Sequence, residues 1–163
     1  LSYLNCTYHL DVEEAQQTLK AQIFNALANS CHNIINIKAT VWSRDEAIAL
    51  ANLICSQKWL KKFSLVNSNE SASFSIQSLQ SQAGSLNNLT FKNMHQYIYG
   101  NYNIHDGAPP VEILSNIVKI NSKTIENIIF DWHSRNPPEC TQLIKNIAEC
   151  TINLEQLKTP LYT

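Results

Sequence analysis

Glycine is scarce in this chain, 3 residues in 163, and proline contributes only 5. So few tight-turn residues disfavour a barrel or sandwich built from many short hairpins, and point to a more helical fold. Cysteine occurs five times, at Cys6, Cys31, Cys55, Cys140 and Cys150. The number is odd, the spacings are wide and no C-x-x-C pair occurs, so neither a disulfide framework nor a zinc site is indicated. These residues read as small apolar side chains of an intracellular protein, cytoplasmic or nuclear, in a reducing compartment. No apolar run reaches the roughly 20 residues that span a bilayer, so no membrane partner is expected. An excess of charge is missing too: 12 basic and 13 acidic side chains leave a formal net charge of -1. Nothing global draws the chain to nucleic acid. Also missing are a G-x-S-x-G elbow, an H-E-x-x-H helix and a glycine-rich phosphate loop. An enzyme is not expected, and neither a cofactor nor a metal.

What is present is a repeat. The stretch "LKKFSL" from Leu60 has apolar residues at the first, fourth and sixth positions, and five other hexads share this spacing with apolar or small substitutes. They are "LSYLNC" from Leu1, "IINIKA" from Ile34, "LNNLTF" from Leu86, "IENIIF" from Ile125 and "LEQLKT" from Leu154. Their starts are 33, 26, 26, 39 and 29 residues apart. Three of these intervals fall within the range of about 20 to 29 typical of leucine-rich repeats, and the longer two leave room for insertions.

Helical signals fill the intervals. Ser43 followed by Asp45 and Glu46 reads as an N-cap with first-turn acids, and Ala47, Leu50, Ala51 and Ile54 continue as the stripe of a helix near 44–57. Pro109-Pro110 and Pro137-Pro138 open two more, with stripes of Ile113, Leu114, Ile117, Val118 and of Leu143, Ile144, Ile147, Ala148. A longer helix is predicted near 12–30 with Ala15, Leu19, Ile23, Leu27 and Ala28 inward, and a shorter one near 74–83 around Ile76 and Leu79. Strands alternating with helices imply parallel pairing by crossovers. A doubly wound sheet would have continuous apolar strands, yet Lys61-Lys62, Asn87-Asn88, Glu126-Asn127 and Glu155-Gln156 interrupt these. The expected fold is α/β, a solenoid with parallel strands on a concave face and helices on the convex one, forming a single domain over 1–163 of about five to six irregular repeats.

The hexads, especially "CHNIINIKA", "WLKKFSL" and "SLNNLTF", resemble the helix-containing leucine-rich repeats of the ribonuclease-inhibitor and F-box/LRR kind. More narrowly, "LANLICSQKWLKKFSLV" and "ILSNIVKINSKTIENIIF" look like degenerate repeats of large fungal F-box/LRR-like families. The resemblance departs from the strict pattern, since no asparagine ladder follows the strands: the third residue after each hexad is His9, Trp42, Ser68, Met94, His133 or Tyr162. It implies noncovalent protein recognition by a horseshoe-shaped domain. It further implies an adaptor that presents a substrate to a ubiquitin ligase, whose linker subunit would be gripped by an F-box outside these residues. The array is accordingly expected to belong to a longer one. A scaffold or sensor unrelated to ubiquitin is the alternative, followed by a small α/β enzyme.

In the solenoid register, outward positions line up in columns across the repeats. One column reads Asn5, Lys38, Ser64, Thr90, Ile129, Lys158; its neighbour reads Tyr3, Asn36, Lys62, Asn88, Asn127, Gln156; a third reads Thr7, Thr40, Val66, Lys92, Asp131, Pro160. The binding candidates are Asn36, Lys38, Lys62, Ser64, Asn88, Thr90, Lys92, Asn127, Ile129 and Asp131, because mixed polar columns suit an adaptable protein-binding surface. Lys38, Lys62 and Lys92 beside Glu126 and Asp131 suggest a basic middle and an acidic end that orient a partner. Tyr97, Tyr99 and Tyr102 in the 94–110 insertion form a candidate binding loop, since tyrosine gives contact area at modest entropic cost. Asp131, His133 and Arg135 form a cluster from which a general base is conceivable, but no nucleophile motif accompanies them.

Overall fold

The computed structural model of the chain describes residues 1–7, 14–68, 70–92, 94, 111–131, 133–134, 137–158 and 161–162. In chain order these form β1 (Tyr3–Cys6), α1 (Glu14–Ser30), β2 (Asn36–Ala39), α2 (Arg44–Ser56), β3 (Lys62–Val66) and α3 (Ser73–Ser78). They continue with β4 (Asn88–Lys92), α4 (Val111–Ile120), β5 (Asn127–Asp131), β6 (His133–Ser134), α5 (Pro137–Cys150), β7 (Gln156–Lys158) and β8 (Leu161–Tyr162). The protein is thus α/β. Six strands form one parallel sheet in the order β1-β2-β3-β4-β5-β7, and β6 pairs with β8 separately.

Strand order follows chain order without reversal, so each crossover carries the chain to the next position on the same side of the growing sheet. Every main-sheet strand begins at the third residue of its hexad. The pairing joins equivalent positions throughout: Leu4 to Ile37, Ile37 to Phe63, Phe63 to Leu89, Leu89 to Ile128 and Ile128 to Leu157. Successive side chains of a strand point to opposite faces. On one face lie the buried Ile37, Ala39, Phe63, Leu65, Leu89, Phe91, Ile128 and Phe130; on the other, the partly exposed residues between them. The helices pack on the buried face, α1 beside α2, α2 beside α3 and α4 beside α5.

The core is a stack of equivalent side chains. Ile34, Leu60, Leu86 and Ile125, the first residues of four hexads, are all fully buried. Phe63, Phe91 and Phe130 stack through it, Phe63 meeting Phe91 edge to face at 6.3 Å between centroids and Phe91 lying over Phe130 at 5.5 Å. Such geometries add about 0.5–1.5 kcal/mol per pair beyond burial.

Local sequence explains most helix ends. Ser43 is extended (φ -123°, ψ 158°), and its hydroxyl accepts the Glu46 N–H at 3.2 Å. The Glu46 Oε2 accepts the N–H groups of Trp42 (2.7 Å) and Ser43 (3.3 Å), completing a capping box. The short helix is broken up, with single 3₁₀ turns at Glu70–Ala72 and Leu79–Ser81 flanking α3. Serine accounts for this, because Ser78 and Ser81 hydroxyls donate to carbonyls three residues back, at 2.6 and 2.8 Å, and compete with the regular ladder. Gly84 takes φ +71° just beyond, a left-handed conformation in which its N–H reaches Ile120 O at 3.1 Å.

The predicted stripe of α4 faces the core, with Leu114, Ile117 and Val118 buried in it and Ile113 packed against it; that of α2 holds in part, since Ala49 and Leu53 join Ala47, Leu50 and Ile54 in the core while Ala51 is half-buried. In α5, Leu143 and Ile147 are buried but Ala148 is exposed. The α1 face differs most. Leu19 and Ile23 are 54% and 37% exposed and Lys20, Ala21 and Phe24 are buried in their place, while Leu27 and Ala28 pack against the core as expected. The middle of the helix is therefore turned by about one residue from the apolar stripe.

The cause is an ion pair. Lys20 Nζ sits 2.9 Å from Glu46 Oε1 with both side chains 1% exposed, and it donates to Thr40 O at 2.6 Å. Glu46, committed to capping α2, needs a buried counter-charge. Burial pulls the Lys20 ammonium below the ordinary lysine range, against the opposing effects of its hydrogen bond to Glu46 and of that carboxylate's charge. Cys6 lies nearby; burial pushes its thiol upward while Lys20 pulls it down.

Candidate functional site

The uncovered face of the sheet carries the candidate columns, and pairing settles their register. Tyr3, Asn36, Lys62, Asn88, Asn127 and Gln156 are successive partners across all six strands. Asn5, Lys38, Ser64, Thr90, Ile129 and Lys158 are partners two residues further along. Val66, Lys92 and Asp131 follow at the next outward position. Ten binding candidates thus share one surface: Asn36, Lys38, Lys62, Ser64, Asn88, Thr90, Lys92, Asn127, Ile129 and Asp131. Most of them, with Tyr3 and Gln156, line an open depression of about 470 Å³.

Thr40 leaves the third column. It is fully buried, and its hydroxyl donates to Val66 O at 2.8 Å. The chain turns inward after β2, so strand alternation does not extend to this residue.

Polar groups on the face partly satisfy each other. Asn127 Nδ2 donates to Asn88 Oδ1 at 2.6 Å. Lys158 Nζ donates to Asp131 Oδ2 at 2.7 Å, and Glu126 Oε1 accepts Asn87 Nδ2 at 3.2 Å. At the expected acidic end Asp131 is therefore ion-paired, while Glu126 is hydrogen-bonded to a neutral amide. Lys38, Lys62 and Lys92, by contrast, make no ion pair among the described residues. Among the described residues the face is basic at its middle, with the Lys158–Asp131 pair and Glu126 toward one end.

The tyrosine loop, Tyr97, Tyr99 and Tyr102, lies outside the described residues, as does Arg135. Asp131, the remaining anchor of the suggested acid-base cluster, is held by Lys158. A second hollow of about 440 Å³ lies between α1 and α2, with Thr18, Gln22, Asn25, Ser43 and Asp45 in its lining. Among the described residues no helix is long and apolar enough to cross a membrane.

The rigidity of the face comes from polar side chains that periodicity did not reveal. Gln57, Gln82 and Asn121 are buried, and each accepts the N–H of a hexad's first residue from the preceding strand segment: Ile34 at 2.8 Å, Leu60 at 3.4 Å and Leu86 at 3.1 Å. Their amide nitrogens donate to carbonyls, Gln57 to Cys31 and Leu53, Gln82 to Ile54 and Gln57, Asn121 to Ile117. In three successive intervals a buried amide thus ties a helix end to the start of a neighbouring hexad. The visible signal was a Gln or Asn three or four residues before Leu60, Leu86 and Ile125. At the opposite strand ends, Ser68 Oγ accepts Val41 N at 2.9 Å, doing locally what an asparagine ladder would do.

Compared with known proteins, the chain matches no protein-family model, and no curated protein matches it.

Proposed function

We propose that this chain is a noncatalytic recognition module of the leucine-rich-repeat type, which binds a partner protein across the open face of its sheet. The observation that carries the reading is the aligned polar face: two complete columns, held in register by six parallel strands, with the helices among the described residues packed behind them. The side chains on it are amides, hydroxyls and lysines, which form adaptable contacts. A small α/β enzyme is less well supported, because open parallel sheets place ligands where strand order reverses, and this order runs in one direction. Cys6, Cys31, Cys55 and Cys150 are free thiols, in keeping with an intracellular setting. By resemblance, the module would form the substrate-binding part of an F-box/LRR-like ubiquitin-ligase adaptor, with a scaffold role as the other reading.

The test is steric. The wild type, Ser64→Trp on the face and Gln80→Trp on the exposed helix side are immobilised at matched thermal stability, and proteins retained from lysate are identified. A partner retained by the wild type and Gln80→Trp but lost with Ser64→Trp supports the reading. Equal retention by all three contradicts it. Retention of a ubiquitin-ligase linker subunit by a chain carrying an F-box would support the adaptor role, and its absence would leave the scaffold.

A further inference from the structure

The three unpaired lysines occupy an ordered pattern. Lys62 is paired with Asn36 and with Asn88, Lys38 lies two residues beyond Asn36, and Lys92 lies four residues beyond Asn88. Along the strand direction they therefore stand at steps of zero, two and four residues, one each on β3, β2 and β4. With a rise of about 3.3 Å per residue and strands about 4.8 Å apart, their Cα atoms fall near 0, 7 and 13 Å along the axis. The second and third lie about 5 Å to either side of β3, well within reach of a lysine stem.

An extended peptide has the same period, since its side chains at alternate positions return to one face every 7 Å or so. Resting on the recognition reading above, we infer that the open face takes an extended acidic segment of a partner protein, with carboxylates at positions i, i+2 and i+4 lying along β3. The carboxylates meet Lys62, Lys38 and Lys92 in turn. Of the acids beside it, Asp131 is already ion-paired with Lys158. A nucleic acid is the less favoured polyanion, because net charge is -1 and the attraction is confined to these three side chains.

The test measures fluorescence polarisation of three labelled peptides: alternating Glu-Ser-Glu-Ser-Glu-Ser, blocked Glu-Glu-Glu-Ser-Ser-Ser, and Gln-Ser-Gln-Ser-Gln-Ser. A short oligothymidylate is included as a competing polyanion. The protein is compared with Lys38→Gln/Lys62→Gln/Lys92→Gln, which retains length and polarity. The alternating acidic peptide should bind best, lose about tenfold affinity in the triple variant and weaken with added salt. No binding, equal binding by the triple variant, equal or tighter binding of the blocked peptide, or tighter binding of the oligonucleotide would each overturn the inference. The two readings fail separately: loss of partner capture with Ser64→Trp while the acidic peptide does not bind leaves recognition standing and removes the acidic segment.

Discussion

Replacing Lys20 by methionine removes one charge from a site where nothing else supplies it. The stem can still pack, but Thr40 O loses its donor and the Glu46 carboxylate, 1% exposed, keeps only the N–H groups of Trp42 and Ser43. Breaking one partner out of a buried pair costs about 3–5 kcal/mol, and the two surviving capping bonds place the expected value near 3. For 163 residues that is a fall in Tm of about 10 °C. Denaturant unfolding of Lys20→Met, Glu46→Gln and the double variant measures it. The double variant should be less destabilised than the two single costs summed, by about 1–3 kcal/mol, because it leaves no uncompensated charge. The pH dependence has a definite sign. Burial lowers the folded-state pKa of Lys20 below its ordinary 10.5, so between the two values the unfolded chain binds more protons. The Lys20 contribution therefore rises with pH in that window, and the gap between wild type and Lys20→Met widens as pH approaches 10.5. A cost below about 1 kcal/mol for Lys20→Met, or strict additivity, would refute the buried-pair argument.

Gln82→Ala should cost about 2–3 kcal/mol, since it strands Gln57 O and Leu60 N–H and removes one of the two donors to Ile54 O; Gln80→Ala, on the exposed side, should cost almost nothing by the same chemical denaturation. Phe91→Ala empties the middle of the aromatic stack and should cost about 3–5 kcal/mol, with a cost under 1 showing that the ring is not packed as described. Iodoacetamide at neutral pH should modify the exposed Cys55 faster than the half-buried Cys6, because burial raises the Cys6 thiol and limits access to it; equal rates by mass spectrometry would contradict this.

Most of the sheet was legible in the chain because strand alternation has a period of two and the hexads repeat it. The same count placed Asn36, Lys62, Asn88 and Asn127 in one column and Lys38, Ser64, Thr90 and Ile129 in the next. It failed at Thr40, one residue past β2, where alternation no longer applies. It failed also on α1, where Leu19 and Ile23 made the better apolar stripe but Glu46, more than twenty residues away, draws Lys20 inward. Pairings of that kind depend on which residues become neighbours only after folding. Gln57, Gln82 and Asn121 were overlooked for a related reason, since a buried amide looks polar to any periodicity and reveals its role only through the carbonyls it meets. The Lys158–Asp131 pair was likewise not legible, because it joins side chains 27 residues apart.

The most direct test of the recognition surface is hydroxyl-radical footprinting of the chain with and without its captured partner. Tyr3, half exposed on the open face, and Ile129 should lose labelling on binding, while Leu19, Ile48 and Phe74 on the helix side keep theirs. Protection of Leu19, Ile48 and Phe74 with Tyr3 and Ile129 unchanged would place the partner on the helices and contradict the account.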